Sequence, residues 1–397
     1  MDYNTCFNQA LETIKQEDRY RVFNALERDA RFPRSCTNGR EVISWCGVDY
    51  LGLTQHPTLK QAFCDNLQQY GMGAGGTRNI GGTHVKHVEL ETRLSQLHQQ
   101  QATLLFTSGY VTNQTALSTL GKLIPDLVVF SDGDNHMSII EGIRESRCHK
   151  VIVKHNDMAD LEQKLAEFPL SQPKIIVFEA VYSMSGDFAP LTQIIALAKK
   201  YHALSYADEV HATGVYGLNG GGLTEAEGVA SQIDFIQGTL GKSFGLMGGY
   251  LCGSAASIDA IRLMGNGFIF TTSLPPALCA TVINVLDYLK LHPEHQQYLH
   301  TLVNHLKQRL REAKLPLMPS ASQIIPVWVG NPTHCKNIAN TLMNEYGIYI
   351  QTINYPTVRK GEERLRISPT ALHTFEQADQ LVAALATLYK NCVHYST

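Results

Sequence analysis

Lys242 sits in GTLGKSFGLMGGY, residues 238–250, among five glycines and with no charged neighbour. An amine walled by glycine and apolar side chains holds its charged form poorly. The neutral amine attacks a carbonyl carbon, which is the first need of imine chemistry. Asp208 lies 34 residues earlier (242 − 208), in YADEVHATG (206–214), and His211 follows it three residues on. A lone carboxylate closing an apolar run reads as a helix cap or a solvated acid. Beside an imine-forming lysine it reads differently. An acid that keeps a pyridine nitrogen protonated is the other half of a pyridoxal-phosphate (PLP) site. A buried or solvated structural lysine is the plain alternative for Lys242.

Two glycine motifs offer competing chemistry. GMGAGG (71–76) has the letters of a dinucleotide fingerprint, which must follow a strand and open a helix. Here the preceding segment, HPTLKQAFCDNLQQY, reads as a helix. GTLGKS resembles the end of a phosphate-binding loop, but that motif needs a glycine at position 236, which is Ile. Both nucleotide matches are weak.

The elements that must position Lys242 and Asp208 alternate along the chain. Apolar, β-rich runs fall at 127–132, 150–155, 174–180, 204–209, 234–240 and 248–254. Helical patterns lie between several of them. Leu191, Ile194, Ile195 and Ala198 share one helix face, and so do Leu90, Leu94 and Leu97. This alternation predicts an α/β fold, a mostly parallel sheet with helices on both faces. Ligands of such sheets bind at the carboxyl ends of strands. Asp132, Glu179, Asp208 and Thr239 each end an apolar run there. After about residue 285 the chain becomes a smaller α+β domain, with strand-like runs at 323–330, 348–355 and 364–369 and a last amphipathic helix carrying Leu381, Leu385 and Leu388. The expected division is an N-terminal arm (1–45), a large catalytic domain (46–285) and a small C-terminal domain (286–397).

Composition excludes several classes. With 397 residues, 44% hydrophobic, the chain can bury a large core. A net charge of −3 gives no basic face for nucleic acid. The first 23 residues are mixed-charge and amphipathic, unlike a signal peptide or a membrane span. Nine cysteines, none in a CxxC pair, suit a reduced, cytoplasmic protein. No metal site is expected.

The segments MDYN, RYRVF, DYLGLTQHP, GAGGTRNIGGTHVKHVELE, LLFTSGYVTN, NHMSIIEGIR, FEAVYSMSGDFAP, YADEVHATGVYG, GTLGKSFGLMGGY, GFIFTTSLPP and INYPTVRKGEERLRISPT span nearly the whole chain. In this order they resemble the α-oxoamine synthase family, and GGTRNI and INYPTV resemble its 5-aminolevulinate synthase branch. The resemblance implies a fold-type I, aminotransferase-like PLP enzyme. It implies an acyltransferase that condenses glycine with succinyl-CoA, with loss of carbon dioxide, to give 5-aminolevulinate, the first step of tetrapyrrole synthesis. It also implies a homodimer with active sites at the subunit interface.

By the same resemblance, Lys242 would carry the cofactor and act as acid and base. Asp208 would hold the pyridine proton. His211 and Ser183 would bond the phenolic oxygen, and His136 would stack on the ring. The phosphate would be held by Thr239, by backbone N–H groups of Ser108, Gly109 and Tyr110, and by Thr271 or Thr272 of the partner subunit. Arg366 would clamp the glycine carboxylate. Arg21, Thr77, Asn79, Ile80 and Thr357 would read the succinyl end.

Three positions depart from the family pattern. Val48 stands where an asparagine precedes DYLG, Ser185 replaces an aspartate, and Arg359–Lys360 replaces Pro–Arg. Val48 motivates an alternative: an α-oxoamine synthase with a different acyl-CoA or amino acid. A catalytically silent PLP-binding paralogue is a third reading, opposed by the intact Lys242, Asp208, His211, His136 and Arg366.

Overall fold

The computed structural model describes residues 2–28 and 32–393, with the side chains of 391–393 left aside. The chain forms two compact units. One comprises Leu51–Ser183 and Asp187–Gln296. The other comprises the residues up to Tyr50, Met184–Gly186, and those from Gln297 onward.

The larger unit is built on a seven-stranded sheet. Its strands are β1 (Ala102–Phe106), β2 (Val128–Asp132), β3 (His149–Val153), β4 (Lys174–Glu179), β5 (Ala203–Asp208), β6 (Phe235–Thr239) and β7 (Gly249–Gly253). Their spatial order is β1-β7-β6-β5-β4-β2-β3. Only β7 runs antiparallel to its neighbours; the other pairs are parallel. Every residue of β2 and β4 is buried, as expected of strands covered on both faces, which need no polar alternation. The helix Leu191–Lys200 buries Leu191, Ile194, Ile195 and Ala198, the stripe anticipated from their spacing. In the helix Val85–Leu97, Leu90 and Leu94 are buried and Leu97 is half-buried.

This topology disposes of the two glycine motifs. Gly71–Gly76 follows the helix Pro57–Tyr70, and Gly71 caps it with φ 76°. Residues 240–248 connect two antiparallel neighbours, β6 and β7. That connection is closed by Leu240 N–H to Gly248 O (3.0 Å), Leu246 N–H to Leu240 O (2.9 Å) and Gly245 N–H to Lys242 O (2.8 Å). Gly245 (φ 71°) and Gly248 (φ 133°) adopt conformations closed to most side chains. Several of the glycines around Lys242 therefore serve a tight loop, and no phosphate loop opens a helix there.

In the other unit, the helix Tyr3–Gln16 has no buried residue. The strands Glu27–Arg28, Arg34–Thr37 and Arg40–Ser44 form a sheet with Ile348–Tyr349, which pairs in parallel with Arg40–Ser44. Ile325–Trp328, Arg364–Ile367 and Thr352–Ile353 form a second sheet. The run 348–355 is thus two short strands in different sheets. It turns at Gln351, whose N–H is taken by Cys46 Sγ at 2.9 Å. The ends of the sequence are joined here. Trp45 stacks on His373 at 3.8 Å between ring centroids, and Ser368 N–H donates to Trp45 O at 2.7 Å. Leu381 and Leu385 of the last helix are buried. No helix among the described residues is long and apolar enough to cross a membrane.

Candidate active site

Because β1, β2, β4, β5 and β6 all point the same way, the chain leaves their carboxyl ends along one edge of the sheet. Beyond those ends come Ser108, His136, Ser183, His211 and Lys242 in turn.

Asp208 ends β5 with 5% of its surface exposed. Its Oδ2 accepts from Asn113 Nδ2 at 2.7 Å, and its Oδ1 from Val210 N–H at 2.9 Å. Burial pushes its carboxyl above the usual range. Those two donors and the positive fields of Lys242 and His136 pull it back. The buried charge is therefore held by hydrogen-bond donors together with the field of Lys242, as a stable ionised carboxylate requires. Lys242 is half-buried. Burial also pushes Glu179 up, to about 8, reinforced by the charge of Asp208. Glu179 Oε2 accepts the Ser183 N–H at 3.0 Å and so fixes the turn carrying Ser183. His211 is buried in the turn that follows Asp208, where Ala212 and Thr213 both donate to Glu209 O.

His136 caps the helix Met137–Ser146, with Nδ1 facing the Ser138 N–H at 3.2 Å. Burial moves its pKa down; Asp208 opposes this and Lys242 adds to it. Tyr110 approaches edge-on, 6.5 Å between ring centroids. Ser108 caps the helix Gly109–Leu123 by accepting from Val111 N–H at 3.2 Å. The N–H groups of Gly109 and Tyr110 belong to the first turn, where no intrahelical partner exists. Such an end suits a dianion. A Cβ on Gly109 would lie 3.1 Å from Gln237 Nε2, and one on Gly249 would lie 2.4 Å from Ser108 C. Glycine lets these backbones close together. Thr239 Oγ1 donates to Gly248 O (2.9 Å) and accepts from Gly241 N–H (3.1 Å).

The donor set fits PLP. The first-turn amides of the helix Gly109–Leu123, a buried carboxylate within the field of a lysine, and the His136 imidazole follow the ends of parallel strands.

A second group lies in the same unit. Thr77 and Thr272 form an antiparallel bridge, and Ser273 N–H donates to Gly76 O at 3.0 Å. Thr271 is thereby placed beside this bridge, and Asn79 and Ile80 are exposed on the turn that follows Thr77. In the other unit, Arg21 Nη2 donates to Thr357 Oγ1 at 2.7 Å, joining residues 336 apart in sequence. Arg366 is 8% exposed and donates from Nη1 to Ser368 Oγ at 2.8 Å. It lines a cavity of about 400 Å³ together with Arg28, Asn24, Cys46 and Gln351. Two guanidiniums in one cavity suit an anion.

Sequence reasoning missed the supports. Asn113, Ser138 and Tyr206 are buried around Asp208 and carry no motif of their own. It also missed His155, bonded to Asp132 Oδ1 at 2.9 Å and to Asp187 Oδ2 at 3.3 Å. Burial would push His155 down, but Asp132 and Asp187, with Asp134 nearby, hold it up at about 10. A folded-state value above the unfolded 6.5 stabilises the fold fully below pH 6.5, and the contribution fades as pH rises through about 10. His155→Gln should therefore cost on the order of 1–3 kcal/mol near pH 6.5 and less at pH 10. Urea unfolding of both chains at the two pH values checks this; an equal cost at both would refute it.

The family model for aminotransferase class I and II matches residues 40–385. The chain is 48% identical to the 5-aminolevulinate synthase of Bradyrhizobium diazoefficiens over 98% of this chain and 96% of that one. It is 49% identical to that of Rhizobium meliloti over 99% and 98%. Among solved structures, the serine palmitoyltransferase of S. paucimobilis with bound PLP and myriocin superposes with a TM-score of 0.92. It is 29% identical, with 98% of this chain and 99% of that one covered. The 8-amino-7-oxononanoate synthase of Francisella tularensis, 23% identical, has the same fold at a TM-score of 0.75 over 88% and 98%. The overall architecture is accordingly the fold-type I, aminotransferase-like one. The chain belongs to the class I and II aminotransferase family and, within it, to the 5-aminolevulinate synthase family.

Proposed function

We propose that this chain condenses glycine with succinyl-CoA to give 5-aminolevulinate, CoA and carbon dioxide, with PLP as cofactor. The observation that carries the reading is the buried Asp208 carboxylate lying in the field of Lys242 at the carboxyl edge of the sheet. When bound, PLP supplies the electron sink that makes the glycine α-proton removable.

The residues divide the remaining work. Asp208 holds a proton on the pyridine nitrogen, and the burial that raises its own proton affinity strengthens that bond. Lys242 holds the resting cofactor covalently; its Nζ then takes the proton from the glycine α-carbon and later returns one. Ser183 and His211 orient the phenolic oxygen, and His136 covers the ring. The first-turn amides of Gly109 and Tyr110, with Thr239, hold the phosphate. Arg366 grips the glycine carboxylate as a planar fork. Arg21 and Thr357, already bonded to each other, read the succinyl carboxylate with Thr77, Asn79 and Ile80. Thr271 or Thr272 of the partner subunit completes the phosphate site in a cytoplasmic homodimer, and the product feeds tetrapyrrole synthesis.

Half-buried Val48 favours a second reading, in which another acyl-CoA is the better donor. A hydrogen bond to a charged group is worth about 1.5–3 kcal/mol, roughly 10- to 100-fold in specificity. Product formation from glycine with succinyl-, acetyl-, glutaryl- and octanoyl-CoA, in the parent and in Val48→Asn, tests both. The first reading expects succinyl-CoA to lead in both chains and to gain roughly 10- to 100-fold in Val48→Asn. A flat or shifted profile in the parent overturns it in favour of the second.

A further inference from the structure

We propose that Asn113 and Ser138 are positioning residues that set which ring nitrogen of His136 carries its proton, through the same amide that holds Asp208. The argument follows the donors. An ionised carboxylate only accepts, so the Asn113 atom 2.7 Å from Asp208 Oδ2 is its NH2 group. That fixes the amide orientation. The second hydrogen of the NH2 reaches Ser138 Oγ at 2.9 Å. Asn113 Oδ1 then faces the Tyr206 hydroxyl at 2.7 Å and accepts from it. Ser138 Oγ could accept a second bond, but His136 Nδ1, 2.8 Å away, already faces the Ser138 backbone N–H and so acts as acceptor, and the hydroxyl hydrogen is given to it. The Ser138 backbone N–H points at the same nitrogen from 3.2 Å. Two donors aimed at Nδ1 leave it no proton, so the neutral ring carries its proton on Nε2.

The direction of this chain of bonds cannot be reversed cheaply. Tyr206 is 0% exposed, and Asn113 and Ser138 are each 1% exposed. Reversal would set the Asn113 amide oxygen against the Asp208 carboxylate, acceptor against acceptor, and a proton on His136 Nδ1 against the Ser138 N–H, donor against donor, which folded proteins avoid. The packing is equally tight. Asn113 lies where the helices Gly109–Leu123 and Met137–Ser146 meet, and a Cβ on Gly142 would come within 2.7 Å of Asn113 O. The charged and titratable groups facing His136 come from four other elements. They are Asp208 from β5, Lys242 from the 240–248 loop, Glu179 from the end of β4, and Tyr110 from the helix Gly109–Leu123.

The chemical consequence rests on the function proposed above, but the geometry does not. An imidazole fixed with Nε2–H offers a donor to a bound ligand and cannot accept a proton at that atom. Lys242 then takes the α-proton without competition from the neighbouring ring.

The test is ¹⁵N-histidine labelling of the PLP-loaded full chain, with long-range ¹H–¹⁵N spectra at pH 7 and the His136 signal assigned by its loss in His136→Asn. The parent should show neutral His136 with Nδ1 unprotonated. Ser138→Ala loses the hydroxyl but keeps the backbone N–H, so it should admit the Nδ1-protonated tautomer as a minor population and lower kcat about tenfold, the worth of one hydrogen bond. It should leave the pH profile of the bound cofactor's absorbance unchanged, because Asp208 keeps Asn113. Ser138→Thr, which retains the hydroxyl, should restore the parent tautomer. Asn113→Ala should disturb both the tautomer and the absorbance profile. A parent ring protonated on Nδ1 overturns the proposal, and so does an unchanged tautomer in Ser138→Ala. Should Asn113→Ala not fold, the two Ser138 variants still decide. A parent that makes no 5-aminolevulinate refutes the proposed function and leaves the tautomer result standing.

Discussion

The Lys242→Ala chain is expected to bind PLP without a covalent link and to form no detectable 5-aminolevulinate. Alanine removes the nitrogen that both anchors the resting cofactor and moves the α-proton. General acid–base catalysis alone contributes about 10²–10⁴-fold, and the loss of covalent chemistry adds to it. Neither Lys174 nor Lys307, the buried lysines among the described residues, can substitute. Lys174 donates to Pro169 O and Gln172 O at 2.7 and 2.8 Å. Lys307 donates to Ser320 O and Ser322 O at 2.9 and 2.6 Å. Both are committed to carbonyls that hold their own loops. Borohydride reduction followed by mass spectrometry reads the covalent link, and a colorimetric product assay reads turnover. A cofactor-sized mass increment in the variant, or turnover within about tenfold of the parent, would reject Lys242.

Asp208→Ala should lower kcat by about 10³-fold or more while leaving the fold intact. Removing one preorganised polar partner of a transition state costs about 10²–10³-fold, and a full buried charge exceeds a neutral donor. Stability should move little, because two effects oppose each other. The variant loses a carboxylate whose burial was costly, as its raised pKa records. It also strands the Val210 N–H and one hydrogen of the Asn113 NH2, whose other hydrogen keeps Ser138 Oγ. Steady-state kinetics with glycine, alongside urea unfolding, separates the two. Activity within tenfold of the parent would remove Asp208 from the mechanism, and unfolding of the variant would show that its role is structural.

The parts of the molecule that could be read in advance are those whose signal is local. β2 and β4 are legible because a strand buried on both faces must be apolar throughout, and VVFSD and KIIVFE are so apart from their ends. Asp208 and Lys242 are legible because their residue types are costly to bury without purpose. Asn113 is different. An asparagine inside a helix predicts nothing by itself; it acquires meaning only from Asp208, 95 positions away. Ser138 and Tyr206 are silent for the same reason. The Arg21–Thr357 bond spans 336 positions, and only the resemblance had grouped those two residues. The run 348–355 reads as one strand because periodicity reports burial, not which sheet provides it.

The backbone crosses between the two units four times. The chain passes between them at 50/51, 183/184, 186/187 and 296/297. Neither unit can therefore be cut out as one continuous piece of polypeptide. A gene fragment beginning at residue 51 would delete more than an appendage. It would remove the edge on which Ile348–Tyr349 pairs and the indole on which His373 stacks. During synthesis, the first 50 residues must wait for nearly 300 more before their sheet partner at Ile348 emerges. Until then the strand Arg40–Ser44 has its antiparallel neighbour Arg34–Thr37 but lacks its parallel one.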